Sequence, residues 1–196
     1  MTTSEGKAKN VSVDNDFVPV IIFSPKIPED LKNLVSSQSL AIMKEIMKSS
    51  GVHKVTITST LRTVQKQVDA MYVNMCSKGI QSQLDYYAAP GREVVQAGVD
   101  AGGTDKSKES VVKKAMMDKV KCLQKEGRLV SKHCVSLEAY ALRNVFDMSK
   151  ISLPASLQRA FDKALTKYAK DNPDKMKYIS PLRTHGEPAF HVEIVQ

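Results

Sequence analysis

Short β-branched runs and long amphipathic stretches share this chain without alternating regularly, and that irregularity most constrains its fold. A wound parallel sheet needs strand and helix in strict turn. The order here points instead to an α+β fold, a small antiparallel sheet flanked by helices. Strand-like runs lie at 17–23 (FVPVIIF), 53–59 (HKVTITS), 129–135, 144–148, 177–180 and 189–195. Pro19 marks the first as an edge strand, because proline cannot donate to a ladder. Helical periods run from Ser24 or Pro28 to Gly51, from Arg62 to Lys78, over 105–126 with Gly127 as C-cap, and over 152–170. Residues 85–104 contain Pro90, Gly91, Gly98, Gly102 and Gly103 and read as a loop around a short helix near 93–99. A long irregular stretch of that kind borders a functional cleft.

The 196 residues suit one domain over 17–196, preceded by a polar arm, 1–16, whose composition predicts disorder. Hydrophobic residues make up 42% of the chain, enough for a sizeable core; nine methionines and no tryptophan make that core aliphatic and adaptable. The first residues, MTTSEGKAKNVSVDND, lack a secretory apolar stretch, and no later run is long enough to span a bilayer. Cytoplasmic synthesis is therefore expected, with later release or virion association left open. Cys76, Cys122 and Cys134 have no metal-like spacing and read as reduced thiols, Cys134 in the core. The formal net charge of +8 fits a solvated basic surface, nucleic acid binding, or attraction to an anionic polymer such as a bacterial cell wall. The lysines of 105–126 and 162–177 fall on outward helix faces. No run of aromatic residues interleaves them in a way that suggests base stacking, so nucleic acid binding rests on charge alone.

Of the four histidines, His53 opens a strand and reads as structural. The segment SKHCVSLEAYALRNVFDMS puts His133 on one predicted strand and Asp147 on the next, and THGEPAFHVEI carries His185, Glu187 and His191 into the terminal strand. Two imidazoles and one carboxylate form a tripod suited to Zn2+, with a fourth position open to water. A glutamate nearby can then take the proton as water attacks a carbonyl. A lone histidine on a strand is more often a surface or core residue, so residue types alone leave both readings open.

Three separated pieces resemble, in the right chain order, the zinc D-Ala-D-Ala carboxypeptidase and Hedgehog-like family (peptidase M15 type). VTITSTLRTVQKQ (55–67) is similar to the family's strand-to-helix segment with its Ser, Arg and Gln. SKH followed by RNVFDMS (131–133 and 143–149) resembles S-x-H…G-x-A-x-D-[ILV]-S, and GEPAFHVEI (186–194) resembles the closing E-P-x-H or H-x-H-V-E strand. The resemblance implies a Hedgehog/DD-peptidase-like fold and a zinc-dependent carboxypeptidase or endopeptidase acting on peptidoglycan stem peptides. It makes His133, Asp147 and His191 the metal ligands and Glu187 the base. Arg62 becomes a catalytic and substrate-binding residue, joined by Ser131 and Gln65 at the substrate. Without a signal peptide, such an enzyme fits a bacteriophage lysis or virion protein.

The chain departs from the family's H-x(6)-D spacing. Fourteen positions separate His133 from Asp147, and about seven residues, CVSLEAY, are extra. A hairpin that extrudes them would keep both ligands on one metal. Glu187 lies four positions before His191, where many members place the base three before. Glu193, two positions beyond His191, is the alternative base, and His185 is a candidate to hydrogen-bond a developing oxyanion. Two other functions stay open: a catalytically degenerate binding or structural domain on the same fold, and a basic nucleic-acid-binding protein.

Overall fold

The computed structural model describes residues 17–184 and 187–196; the predicted arm 1–16 and His185 lie outside the described residues. The chain is α+β, with one five-stranded sheet of order β1-β2-β3-β5-β4. Its strands are β1 (Val20–Phe23), β2 (Lys54–Ser59), β3 (Arg143–Ser149), β4 (Met176–Ile179) and β5 (Ala189–Val195). The sheet is mixed, where an antiparallel one was expected: β1 runs parallel to β2, and the other three pairings are antiparallel. The connection between β1 and β2 explains this. It carries α1 (Glu29–Lys32) and α2 (Ser37–Ser50), and a helical crossover returns the chain to the same sheet end.

The single helix predicted up to Gly51 is thus two helices. Ser36 interrupts it in extended conformation and caps α2 by accepting from the Ser39 N–H, while Gly51 closes α2 at φ 69°. The buried side of α2 (Ile42, Met43, Ile46, Met47) and that of α8 (Ala155–Asp171; Phe161, Leu165) cover one face of the sheet. Phe146 and Met148 of β3 and Phe190, Val192 and Ile194 of β5 meet them there. Asn144 fastens this layer. Its buried amide accepts from Ser36 N–H (2.7 Å) and Ser39 Oγ (3.0 Å) and donates to the Tyr140 (2.9 Å) and Leu34 (3.3 Å) carbonyls.

A second core lies among α3 (Val64–Lys78), α4 (Ile80–Tyr86), α5 (Ala89–Asp100) and α6 (Glu109–Lys125). Here the predicted 85–104 loop is corrected: most of it is helix. Pro90 stands in the first turn of α5, where its missing N–H costs nothing. The two helical glycines mark close packing. A methyl at Gly91 would lie 2.7 Å from Tyr87 Cβ, and one at Gly98 would lie 2.9 Å from Met116 Sδ. Cys134 is buried in this core, as expected of a core thiol.

The predicted strand 129–135 and its hairpin are also corrected. Residues 129–135 form turns, held in part by the Cys134 N–H donating to the Ser131 carbonyl (3.1 Å). The extra residues after His133 contribute to a short helix, α7 (Leu137–Leu142), capped by Ser136. Tyr140 of α7 is buried and donates to the Val145 carbonyl at 3.0 Å, which returns the chain directly into β3.

Candidate metal centre

Alternation along β3 and β5 divides their residues between two faces. Phe146, Met148, Phe190, Val192 and Ile194 take the core face. Asp147, His191 and Glu193 therefore share the opposite one. The ladder sets Asp147 directly across from His191, and its neighbours across the sheet are Ser59 and Ile179. Ser59 reaches this row through an irregularity in the β2–β3 register between Ile57 and Ser59. One extra residue there switches β2 from its core-facing Ile57 to a site-facing Ser59.

His133 comes from no strand. Two hydrogen bonds to the end of β2 place it: Arg62 N–H donates to the His133 carbonyl (2.7 Å), and the His133 ring Nδ1 lies 2.8 Å from the Thr60 carbonyl. A carbonyl only accepts, so Nδ1 carries the proton and the lone pair sits on Nε2. That atom faces Asp147 Oδ1 at 3.1 Å and His191 Nδ1 at 3.3 Å, and His191 Nδ1 lies 2.9 Å from Asp147 Oδ1. His133, Asp147 and His191 can hold a metal ion. Tetrahedral zinc with bonds of about 2.0–2.1 Å sets its donors about 3.3–3.4 Å apart; the three observed separations lie at or just inside that spacing.

The donor chemistry is compatible with a cation. The second ring nitrogen of His191, Nε2, faces Glu193 Oε1 at 3.7 Å, an ion-pair distance. With its proton there, His191 presents a second lone pair to His133 Nε2 and Asp147. In that tautomer three acceptors meet, and a positive charge among them is favourable. In the absence of a metal ion that charge is a proton. Burial alone would lower the His191 pKa, but the adjacent Asp147 and Glu193 carboxylates prevail and push it up to about 9. Burial alone would likewise raise Asp147, yet the two imidazoles hold its carboxyl well below the usual range.

The two candidate bases part company here. Glu193 is buried behind His191, its Oε2 lies 3.4 Å from Arg143 Nη1, and its carboxyl is lowered, chiefly by the His191 imidazole. Glu187 is half-buried, and its carboxyl is raised, first by burial and then by the Asp147 charge. The two glutamates thus differ in the direction of their shifts.

Arg62 closes another side. Its Nε (3.1 Å) and Nη2 (2.9 Å) donate to Ser59 Oγ, and Nη2 lies 3.7 Å from Asp147 Oδ2. The glutamine beside it is Gln67, whose Oε1 lies 3.5 Å from Arg62 Nη1. Gln65 is exposed on α3 and donates to Asp69. The Ser131 hydroxyl accepts from the His133 backbone N–H at 3.2 Å, so it shapes the loop that carries the histidine. His53 stacks on Phe17 at 3.8 Å between ring centroids, consistent with a structural role.

Sequence reasoning missed Gln67, Thr60 and Tyr86. Gln67 was findable, as a polar residue on the buried Val64–Val68–Met71 stripe of α3. Thr60 acts through its carbonyl, and main-chain groups leave no sequence signal. Tyr86 ends α4 and packs edge-on against Tyr87 at 5.1 Å; desolvation and then the Glu187 and Asp147 charges raise its phenol.

No known protein family, curated protein or solved structure matches this chain. Among the described residues no helix is long and apolar enough to cross a membrane.

Proposed function

We propose that the chain is a zinc peptidase acting on short peptides of the peptidoglycan stem type. One observation carries the reading: His133 Nε2, Asp147 Oδ1 and His191 Nδ1 converge within 3.3 Å of one another. The resemblance of 55–67, 131–133 with 143–149, and 186–194 to zinc D-Ala-D-Ala carboxypeptidases supplies the substrate class. His133, Asp147 and His191 would hold the ion, which when bound supplies Lewis acidity at the scissile carbonyl.

The chain's own residues do the rest. Glu187 takes a proton from the attacking water, whose oxygen bonds to the carbonyl carbon. It then passes that proton to the amine nitrogen as the C–N bond breaks. Its raised carboxyl brings it nearer the pH at which such a shuttle works. Arg62 keeps its guanidinium against the site through Ser59 and faces a substrate carboxylate or the developing oxyanion. Thr60 and Glu193 hold the two imidazoles in the tautomers the site requires.

The competing reading is a buried His–Asp–His hydrogen-bond network that holds a proton and no ion. Metal analysis of the purified chain separates the two. About one zinc per chain, lost in His133→Ala and in His191→Ala, is expected of a tripod with all its ligands in use. A wild-type chain that stays metal-free in added zinc would leave only the protonated network.

A further inference from the structure

A groove of about 590 Å³ runs between α2 and α8, on the helical side of the sheet and away from the metal centre. Ile46, Ala160, Ala164 and Tyr168 give it an apolar floor, and Glu45 and Lys163 stand on its walls. Lys167 and Asp171, which also line it, pair with each other. Among the described residues, Glu45 and Lys163 have no group of opposite charge within ion-pair distance.

The place where the arm 1–16 joins the domain points to an occupant. Phe17 stacks on His53 at 3.8 Å, and the Val20 N–H donates to the His53 carbonyl (2.8 Å). His53 lies two residues past Gly51, which closes α2, and Ser49 and Ser50 of the last turn of α2 line the groove. The arm therefore departs beside one end of the groove. Each of α2 and α8 crosses between two parallel strands, β1 and β2 or β3 and β4, and β2 is antiparallel to β3, so the two helices run antiparallel. From the end where the arm departs, Lys163 comes first. Tyr168 lies further along with Glu45, whose charge adds to burial in raising the phenol.

The arm's sequence matches that order. Val11 and Val13 fall on one side of an extended segment. Asp14 and Asp16 lie between them and the domain, and Lys7 and Lys9 lie beyond them, so the arm is acidic toward Lys163 and basic toward Glu45. Extended chain covers about 3.3 Å per residue, hence about 13 Å from Phe17 to Val13 and about 26 Å to Lys9. The floor from Ala160 to Tyr168 is about 12 Å long at the helical rise, within that reach.

We propose that the arm lies in this groove, with Val11 and Val13 on the apolar floor, Asp14 toward Lys163 and Lys9 toward Glu45. The composition of 1–16 gives it no core of its own, and the groove supplies one. The proposal is independent of the peptidase reading, because the groove and the Asp147–His191 pair occupy opposite faces of the sheet.

The test is methyl NMR on the full chain. Nuclear Overhauser contacts are expected between the Val11 or Val13 methyls and those of Ile46 or Ala164, with the valine signals displaced by the Tyr168 ring. Val11→Asp/Val13→Asp, which alters nothing in 17–196, should lose these contacts and exchange its amides at 11–16 about tenfold faster or more. Lys163→Glu should weaken the contacts, and Asp14→Lys added to it should restore them. A mixture of labelled and unlabelled chains distinguishes the chain's own groove from that of a second copy. Contacts found only between chains would overturn docking within one chain in favour of exchange between copies. Absence of the contacts, or a double variant whose arm exchanges at the wild-type rate, would overturn the proposal altogether.

Discussion

Glu193→Gln offers the sharpest separation of the roles assigned to the two glutamates. The substitution keeps the side-chain volume and removes the charge 3.7 Å behind His191 Nε2. Loss of such an outer partner typically weakens metal binding by about 10–100-fold, or about 1.4–2.7 kcal/mol. Glu193 is only 6% exposed, so water does little to screen it, and a value near thirtyfold is expected. The consequence for stability follows by linkage. With free zinc a hundredfold above the wild-type Kd, binding adds about 2.7 kcal/mol, and a site about thirtyfold weaker retains about 0.9. The zinc-dependent rise in Tm should therefore shrink by about 4–7 °C for a chain of this size. Competition with a chelating dye gives the zinc Kd, and thermal unfolding with and without zinc gives the difference in Tm. Comparing holo with apo cancels the effect of the substitution on the apo fold, including the loss of the Arg143 pair. A zinc affinity unchanged within about twofold would refute the orienting role, because an outer partner in place should cost more.

Glu187→Gln is expected to do the reverse: zinc stoichiometry stays at the wild-type value, while hydrolysis of a stem peptide falls by about 10²–10⁴-fold. Asn144→Ala removes four hydrogen bonds, two of them fully buried, joining the start of α2, α7 and β3 and should cost about 3 kcal/mol or more, read as a lower urea midpoint with an unchanged m-value. The Glu93 carboxyl is drawn down to about 2, first by the hydrogen bond from Arg128 and then by that from Lys119. A depressed carboxyl contributes stability that is present above its unfolded pKa, near 4.5, and is lost as pH falls through the folded value. Denaturant midpoints measured between pH 5 and pH 2.5 should therefore fall less steeply in Glu93→Gln than in the wild type.

Much of the centre is legible in β3 and β5, because strand alternation is a local rule. RNVFDMS and AFHVEIV each place aromatic and aliphatic residues on one face and Asp147, His191 or Glu193 on the other. The period needs no knowledge of what lies opposite. The helical stripes of α2, α6 and α8 are legible for the same reason. Gly91, Gly98 and Pro90 misled because the same residue types serve loops and tight helix packing; only the position of Tyr87 and Met116 tells the two apart.

The sequence by itself determined the α+β class and the faces of the two strands that carry Asp147 and His191. The tertiary structure alone decided where His133 goes, since a turn residue with no period of its own is held by Thr60, 73 positions away. It also decided which glutamate backs His191 and which glutamine meets Arg62, and it made β1 and β2 parallel. The physical reason is the same in each case. A period is written by neighbours along the chain, whereas a tautomer, a raised carboxyl or a second ligand is set by groups that become neighbours only once the chain has folded.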